Sequence, residues 1–465
     1  MRTIRTTFTR KEIINYMIAI AILAIVVFLP LEVIQFKEKN VLCILSFLIN
    51  GLFFLFGMLS ARRKYPISMR IVYWIFMFFF MYFAPLIQYL KSKYPWRGSL
   101  SDAQVLYVNA MILLFNIAFL IGGFLGKKVR VTGLPNIEVS KFLCSDFSFG
   151  KRSKVLMTLL ACLLAGYSFM KTGILGIVVS RVQATKVFYS GSNSAIELIV
   201  ESVIPAFMAY VVAEAAQNVS AKREKPYRLL LLLLCMLICF FPTSLPRYKT
   251  ITIYGTVFLV MFPSIKKGTK FFWIFVLALF FMFPMMNSFR HMLSMKSMQE
   301  VFDEGFLSVY TDADYDAYRM LSSAISYTRA RGPEWGFPLI GAILFFVPRS
   351  VWPSKPGGSG AMLIRSELGA DAVANVSCPF IGEGYLNFGF IGMILFGIFM
   401  GVWVYKLDSY YWDLHKDKDY VVFSPYLFIV FMLFFMLRGD LLSSFAYLCG
   451  FVVTGYLLRT VAKYL

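Results

Sequence analysis

The chain is poor in histidine and in acidic residues. It contains two His, and its 25 Asp and Glu stand against 46 Lys and Arg. Two His are too few for a His-rich metal site. Charged residues occupy only 15% of the 465 positions, so we do not expect a water-soluble fold of this size.

Cysteine is also sparse, and its pattern is not typical of disulfides. The seven Cys stand at positions 43, 144, 162, 235, 239, 378 and 449, mostly inside apolar runs. Only Cys378 falls in the long segment that ends near residue 384, so no disulfide framework is predicted. Cys235 and Cys239 are one helical turn apart, and core packing explains that spacing better than metal binding does.

Apolar sequence is what the chain has in excess. Hydrophobic residues make up 59% of it, with 49 Phe, and apolar runs recur near the roughly 20 residues that a membrane-spanning helix needs. We predict an all-α, polytopic integral membrane protein with about 12 transmembrane helices. Their approximate positions are 13–34, 41–60, 69–90, 103–125, 155–172, 196–217, 228–243, 250–263, 271–286, 385–406, 420–437 and 441–460. The first run lacks a cleavage site, so we expect it to be retained.

One long segment interrupts the apolar runs. Residues 287–384 are studded with Pro, Gly and Trp, and their longest apolar run, Gly336 to Val347, has 12 residues, too few to cross a bilayer. We predict three regions: a nine-helix transmembrane region at 1–286, an ordered extracytoplasmic loop with re-entrant or in-plane helices at 287–384, and three C-terminal transmembrane helices at 385–465.

The distribution of Lys and Arg predicts the orientation. Cytoplasmic loops carry the excess of these residues, and with a cytoplasmic N-terminus the short inner loops of this chain are the more basic ones. Both termini are then cytoplasmic, and the loop 287–384 faces outward. If Gly336 to Val347 crossed the membrane instead, the last three helices would invert and the Lys-rich segment 405–419 would lie outside. The net charge of +21 is therefore interpreted as topology and contact with anionic lipid, and no nucleic-acid binding is predicted.

Outward-facing arginines are the first candidates for chemistry. Arg247 lies in a short turn between two apolar runs, where either lipid headgroups or a bound phosphate would suit it. Arg349 stands between Pro348 and Pro353, which stiffen the backbone around it. Its planar guanidinium group is suited to bind two oxyanions. Arg290 follows a helix directly, a position that the helix dipole alone favours for a cation.

Three residues are candidate proton acceptors or diphosphate ligands. Glu383 stands between two glycines, and Asp440 shares the short LRGDLL turn with Arg438. Either carboxylate would serve in acid–base chemistry or in a structural ion pair with an arginine. His291, the one His on the outer face, is a candidate general base or diphosphate donor.

Two other acidic groups are interpreted as structural. Glu197 and Glu201 lie at the start of a predicted helix, where the helix dipole favours carboxylates. The DADYD run at 312–316 resembles the opening of a calcium loop, but the later Gly and Glu of that loop are missing. We interpret it as an acidic loop helix.

Three stretches of the chain carry a resemblance to a known family. They read VPRSVWPSKP, SCPFIGEGYLNFGFIG and LRGDLLSSF, and all lie between residues 331 and 445. Together with the layout of about twelve helices and a late outer loop, they resemble the bacterial O-antigen and oligosaccharide repeat-unit polymerases (Wzy-type).

The resemblance implies a membrane-embedded glycosyltransferase of the GT-C type at the outer face of the bacterial inner membrane. Its substrates would be glycans on undecaprenyl pyrophosphate, joined by block transfer without a metal or another cofactor. A chain-length regulator and a flippase are implied as partners. The residues expected to serve are Arg247, Arg290, Arg349 and Arg438 for the diphosphate, Arg331, Trp352 and Lys355 for the glycan, and Glu383, Asp440 or His291, in that order, for the acceptor hydroxyl.

Two alternatives share parts of this pattern. A lipid-linked glycan ligase uses the same donor on the same side, and a catalytic His in the outer loop would favour it. A lipid-oligosaccharide flippase, a transporter, would show short loops and two similar halves. The single large loop of this chain favours an enzyme over the transporter.

Overall fold

The structure is a computed structural model. It describes residues 39–62, 64–96, 98–128, 136–177, 194–242, 244–282, 306–369, 371 and 376–464. The fold is all-helical, with 78% helix and with no strand in the described ranges.

Fifteen α-helices are numbered here in chain order within the described residues. They are α1 Val41–Arg62, α2 Met69–Lys91, α3 Asp102–Lys128, α4 Asn136–Cys144, α5 Lys151–Ile177, α6 Ser194–Ser220, α7 Tyr227–Cys239, α8 Arg247–Met261, α9 Lys270–Leu277, α10 Ala317–Arg331, α11 Phe337–Ile343, α12 Ser359–Leu368, α13 Phe380–His415, α14 Pro425–Arg438 and α15 Leu441–Tyr464. A π-helical turn at Phe79–Phe83 lies inside α2.

Among the described residues, six helices are long and apolar enough to cross a membrane, namely α1, α2, α3, α5, α13 and α15. Each predicted helix after residue 40 overlaps a helix of the structure, with the end of the one predicted at 271–286 outside the described residues, as is the whole of the first, 13–34. Not all of them reach spanning length. At about 1.5 Å per residue, the 13 residues of α7 cover only about 20 Å of a core roughly 30 Å thick.

Two of the helix boundaries that differ from the prediction affect candidate site residues. Arg247 is the first residue of α8, rather than part of a turn before it. Glu383 lies in the first turn of α13, which begins at Phe380 and continues past a kink at Gly389. Prolines stand immediately before both helices, and a proline is easily accommodated at a helix start because the first N–H groups have no intrahelical partner.

Hydrogen bonds tie the helix termini together at two ends of the bundle. At one end, called the site end below, the start of α15 meets α13 through the Leu441 N–H, which donates to Glu383. At the opposite end, Arg459 of α15 donates to the Asp146 carbonyl at 2.9 Å. There the His415 ring also bonds the Cys144 carbonyl at 2.8 Å.

Glycines on α3 and α13 let the two backbones touch. Gly122 and Gly126 on α3, like Gly397 and Gly401 on α13, are four residues apart. A Cβ on Gly122 would overlap the Ile398 carbonyl, and one on Gly401 would overlap the Phe119 carbonyl. Small residues at this spacing are typical of close helix packing in membranes.

We predict that Gly401→Ala lowers the melting temperature of the detergent-purified protein. The added methyl group overlaps backbone, and overpacking of this kind costs about 1–3 kcal/mol. Gly166→Ala on α5 is the matched control, because a Cβ there meets nothing within 4 Å. The melting temperatures are measured by fluorescence-detected gel filtration after heating. Equal values for the two variants would contradict the packing described.

Candidate functional site

A cavity of about 410 Å³ opens at the site end, where α8 begins and α14 ends. Its polar lining comprises Arg247, Asp314, Ser377, Arg438, Asp440 and Ser443. Its aromatic lining comprises Trp96, Tyr248, Phe434, Phe435 and Tyr447. Cations, carboxylates and flat apolar rings therefore share one space.

Arg247 forms one side of the cavity. Its side chain is buried, and its Nη1 lies 2.6 Å from the Asp314 Oδ2. Pro246 precedes it in an extended conformation and delivers it as the first helical residue. The Arg247 guanidinium is thus fixed by backbone geometry on one side and by an ion pair on the other.

Arg438, the last residue of α14, forms another part of the cavity wall. Its Nη2 donates to Asp316 Oδ1 at 3.3 Å and to the Ala313 carbonyl at 3.2 Å. Asp316 is buried, and its other oxygen accepts hydrogen bonds from Trp96 Nε1 and from the Ser377 N–H, both at 3.1 Å. Four chain segments therefore meet at this one carboxylate.

The DADYD segment supplies the partners of both arginines. Instead of an acidic loop helix, residues 313–315 form a single 3₁₀ turn, with Asp314 and Asp316 reaching Arg247 and Arg438. The prediction did not pair these two carboxylates with the arginines, because Asp314 and Asp316 are far from Arg247 and Arg438 in the sequence.

Asp440 caps the first turn of α15 and also lines the cavity. Its Oδ1 accepts a hydrogen bond from the Ser443 N–H at 2.8 Å. Burial raises the pKa of the Asp440 carboxyl, while the hydrogen bonds from Ser443 oppose that rise. Gly358 packs against this carboxylate, and a Cβ at that position would lie 2.6 Å from Oδ2.

Glu383 is the second carboxylate at the start of α15, but it does not line the cavity. It is 1% exposed, and its two oxygens accept hydrogen bonds from the Leu441 N–H and the Ser359 hydroxyl, both at 2.9 Å. Carboxylates at a helix N-terminus are stabilised by the helix dipole. Glu383 thus joins α12, α13 and α15, and Asp440 is the acidic candidate that faces the open space.

The aromatic wall is built from α8, α14 and α15. The Tyr248 and Phe435 rings stack with their centroids 3.8 Å apart. Behind them, Lys249 Nζ lies 2.9 Å from Glu201 Oε2, and the Tyr447 hydroxyl donates to the same oxygen at 2.7 Å. Lys249 was absent from the predicted site, although it stands two residues after Arg247 in the PRYK sequence.

Three predicted residues lie together in the loop before α12, outside the cavity lining. Arg349 is exposed and donates to the Lys355 carbonyl at 2.8 Å. Lys355 Nζ donates to the Val347 carbonyl at 3.0 Å, and both burial and the nearby Arg349 charge lower the pKa of this lysine. Trp352 Nε1 donates to the Ser354 hydroxyl at 3.1 Å. These contacts fold the loop onto itself.

The remaining predicted residues are separate from the cavity or outside the described ranges. Arg331 is exposed at the end of α10, with its guanidinium 5.2 Å from the Tyr327 ring centroid. Arg290 and His291 lie outside the described residues. Of the predicted diphosphate ligands, the structure brings Arg247 and Arg438 into one cavity.

Across the residues that the structure describes, no group of three or more His, Cys, Asp or Glu side chains is arranged to hold a metal ion. Comparisons of the chain with protein-family models, with curated proteins and with solved structures found no match. The chemistry of the cavity is therefore the basis for a function.

Proposed function

We propose that this chain is a membrane-embedded glycosyltransferase that joins oligosaccharide repeat units carried on undecaprenyl pyrophosphate, as an O-antigen-type polymerase does. The observation that carries the proposal is the meeting of Arg247, Arg438 and Asp440 in one aromatic-lined cavity at the end of the helical bundle. The arginines are complementary to a diphosphate leaving group, the carboxylate to an acceptor hydroxyl, and the aromatic rings to a sugar.

The two arginines suit the leaving group. When the bond between the anomeric carbon and the diphosphate breaks, the bonding electron pair stays on the diphosphate oxygen. Preorganised cations stabilise such developing charge more effectively than water does, and the arginine fork matches phosphate oxygens well. Arg247 and Arg438 enter the cavity from different helices, so a diphosphate between them is held from two directions.

Each of these arginines is already paired with a carboxylate, so a diphosphate must compete with those carboxylates to bind. Asp314 contacts Arg247 and is partly exposed, with 27% of its side chain accessible. Asp316 is 1% exposed and accepts three hydrogen bonds. A diphosphate that binds both arginines therefore displaces Asp314, the less constrained carboxylate, while Asp316 keeps Arg438 in position.

Asp440 is the proposed base. It accepts the proton of the acceptor hydroxyl, whose oxygen forms the new bond to the anomeric carbon as the diphosphate leaves. Its pKa is raised by burial, which brings it closer to working pH and makes it a better proton acceptor than an ordinary Asp. Glu383 supports this role by holding the start of α15, where Asp440 is located.

The charge pattern of the two ends supports an extracytoplasmic site. Within the described residues, Lys and Arg are concentrated at the opposite end, in and beside the helix termini at 62, 64–70, 141–154, 222–228, 266–270 and 416–418. Such clusters are typical of the cytoplasmic side. We therefore assign the site end to the outer face of a bacterial inner membrane, where both lipid-linked substrates would be accessible from the bilayer.

We predict that Arg247→Ala and Arg438→Ala each convert the surface polysaccharide from a ladder to a single-repeat form. The measurement is a gel of polysaccharide from a deletion strain complemented with each variant. Loss of one anion ligand is expected to reduce the rate about 100-fold or more. Arg349→Ala is the matched control, because Arg349 lies outside the cavity, and it should keep the ladder.

Membrane fractions must contain each arginine variant at the wild-type level. A normal ladder from both cavity variants would remove the diphosphate role of these arginines. Deletion of the gene tests the class of enzyme separately: loss of the whole polysaccharide, rather than retention of a single repeat, would point to the ligase or the flippase.

We predict that Asp314→Asn lowers the KM for the lipid-linked donor about tenfold, because the neutral amide no longer competes for Arg247. A tenfold change corresponds to about 1.4 kcal/mol, within the range expected for one partly exposed ion pair near a protein surface. Asp371→Asn is the control, because Asp371 is an exposed residue at the same end and its replacement changes the charge by the same amount. An unchanged or higher KM for Asp314→Asn would refute the displacement step.

We predict that kcat/KM decreases as the pH is lowered, and that the midpoint of this decrease lies above about pH 3.9, where an ordinary Asp titrates. Asp440 must be ionised to accept a proton, and burial raises the pKa at which it loses its charge. Asp440→Asn should remove this decrease and cost about 100- to 10,000-fold in rate. Glu383→Gln should keep the decrease even if it destabilises the protein. The reverse pattern would assign the base to Glu383.

A further inference from the structure

A second cavity lies at the opposite end of the bundle, far from the candidate site. It has a volume of about 300 Å³ and is formed by α4 and the last turns of α15. Lys141 comes from α4, and Arg459 and Lys463 come from α15. Three cations from two helices therefore converge on one small space.

Arg459 is built into the wall of this cavity. Its Nη1 donates to the Ser145 hydroxyl at 2.7 Å, and its Nη2 donates to the Asp146 carbonyl at 2.9 Å. Its guanidinium also lies 5.0 Å from the Phe142 ring centroid. Its hydrogen-bond partners are neutral groups, and the nearby Asp146 carboxylate offsets part of the positive charge of Arg459.

The other two cations are exposed at the rim. Lys141 and Lys463 are both accessible, and neither has an ion pair among the described residues. The residues lining the cavity include no acidic side chain. Asp146 is the nearest carboxylate along the chain, and its Oδ1 accepts a hydrogen bond from Gln217 of α6 at 2.7 Å.

An apolar stripe leads from the membrane-facing side of α15 to the cavity. Val453, Tyr456, Leu457 and Val461 are all exposed large apolar side chains, and their spacing places them on one face of the helix. α15 is one of the candidate membrane spans, so this face is suited to hydrocarbon. Tyr456 belongs both to the stripe and to the cavity lining.

We propose that this cavity binds the phosphate of an anionic phospholipid, with an acyl chain packed along the apolar stripe of α15. Basic pockets beside membrane helices are suited to anionic headgroups on the cytoplasmic side. A free phosphate would use the three cations alone, whereas a phospholipid uses the cations and the stripe together. The site is independent of the proposed transferase function.

The test is thermal unfolding of the full chain, purified in a neutral detergent, with phosphatidylglycerol, phosphatidylcholine or inorganic phosphate added. We expect phosphatidylglycerol to raise the melting temperature by about 2–4 °C, and the other two additives to leave it unchanged. Lys141→Gln combined with Lys463→Gln should abolish the increase. Both lysines are exposed, so the double variant is expected to fold.

The matched control is Lys151→Gln combined with Lys225→Gln, which removes the same charge from exposed positions at the same end, outside the cavity. It should keep the full response to phosphatidylglycerol. An equal response in both double variants would overturn the site, because bulk charge would then explain the binding. An equal response to inorganic phosphate would overturn the phospholipid as its ligand.

Discussion

The candidate site depends on the buried carboxylate of Asp316. It accepts hydrogen bonds from Trp96, from the Ser377 N–H and from Arg438, residues that are far apart in the sequence. A buried carboxylate without these donors would be costly, so the three segments and Asp316 stabilise one another. The direction of the Arg438 side chain, and with it one wall of the cavity, follows from this arrangement.

The same arrangement explains how two arginines can line one small cavity. Two arginines that line the same small cavity repel each other, and each needs a nearby anion. Asp316 meets this need permanently for Arg438, while Asp314 meets it for Arg247 from a more exposed position. Because the two carboxylates differ in burial, Asp316 is the fixed support, and in the proposed function Asp314 is the partner that a bound anion replaces.

The sequence predicted the helix positions and several residues of the cavity, but it did not predict the ion pairs between them. Apolar runs predicted the helix positions after residue 40, and six of those helices have spanning length and apolarity. Loop charge singled out Arg247, Arg438 and Asp440, which share the cavity. The partners Asp314 and Asp316 were missed because ion pairing across the fold leaves no periodic signal. Arg349 looked equally suitable between its prolines, yet its side chain turns to the Lys355 carbonyl, a choice that depends on how the loop folds.

Helix α15 connects the two ends that carry charge. Its 24 residues extend about 36 Å at 1.5 Å per residue, slightly more than a hydrocarbon core of about 30 Å. Asp440 precedes its first residue, and Arg459 and Lys463 lie in its last turns, which also suits the helix dipole. A headgroup held at the basic end would fix the depth of α15 in the bilayer. The cavity around Asp440 would then be at the level of the opposite headgroups, which is the depth that the proposed lipid-linked diphosphate substrate requires.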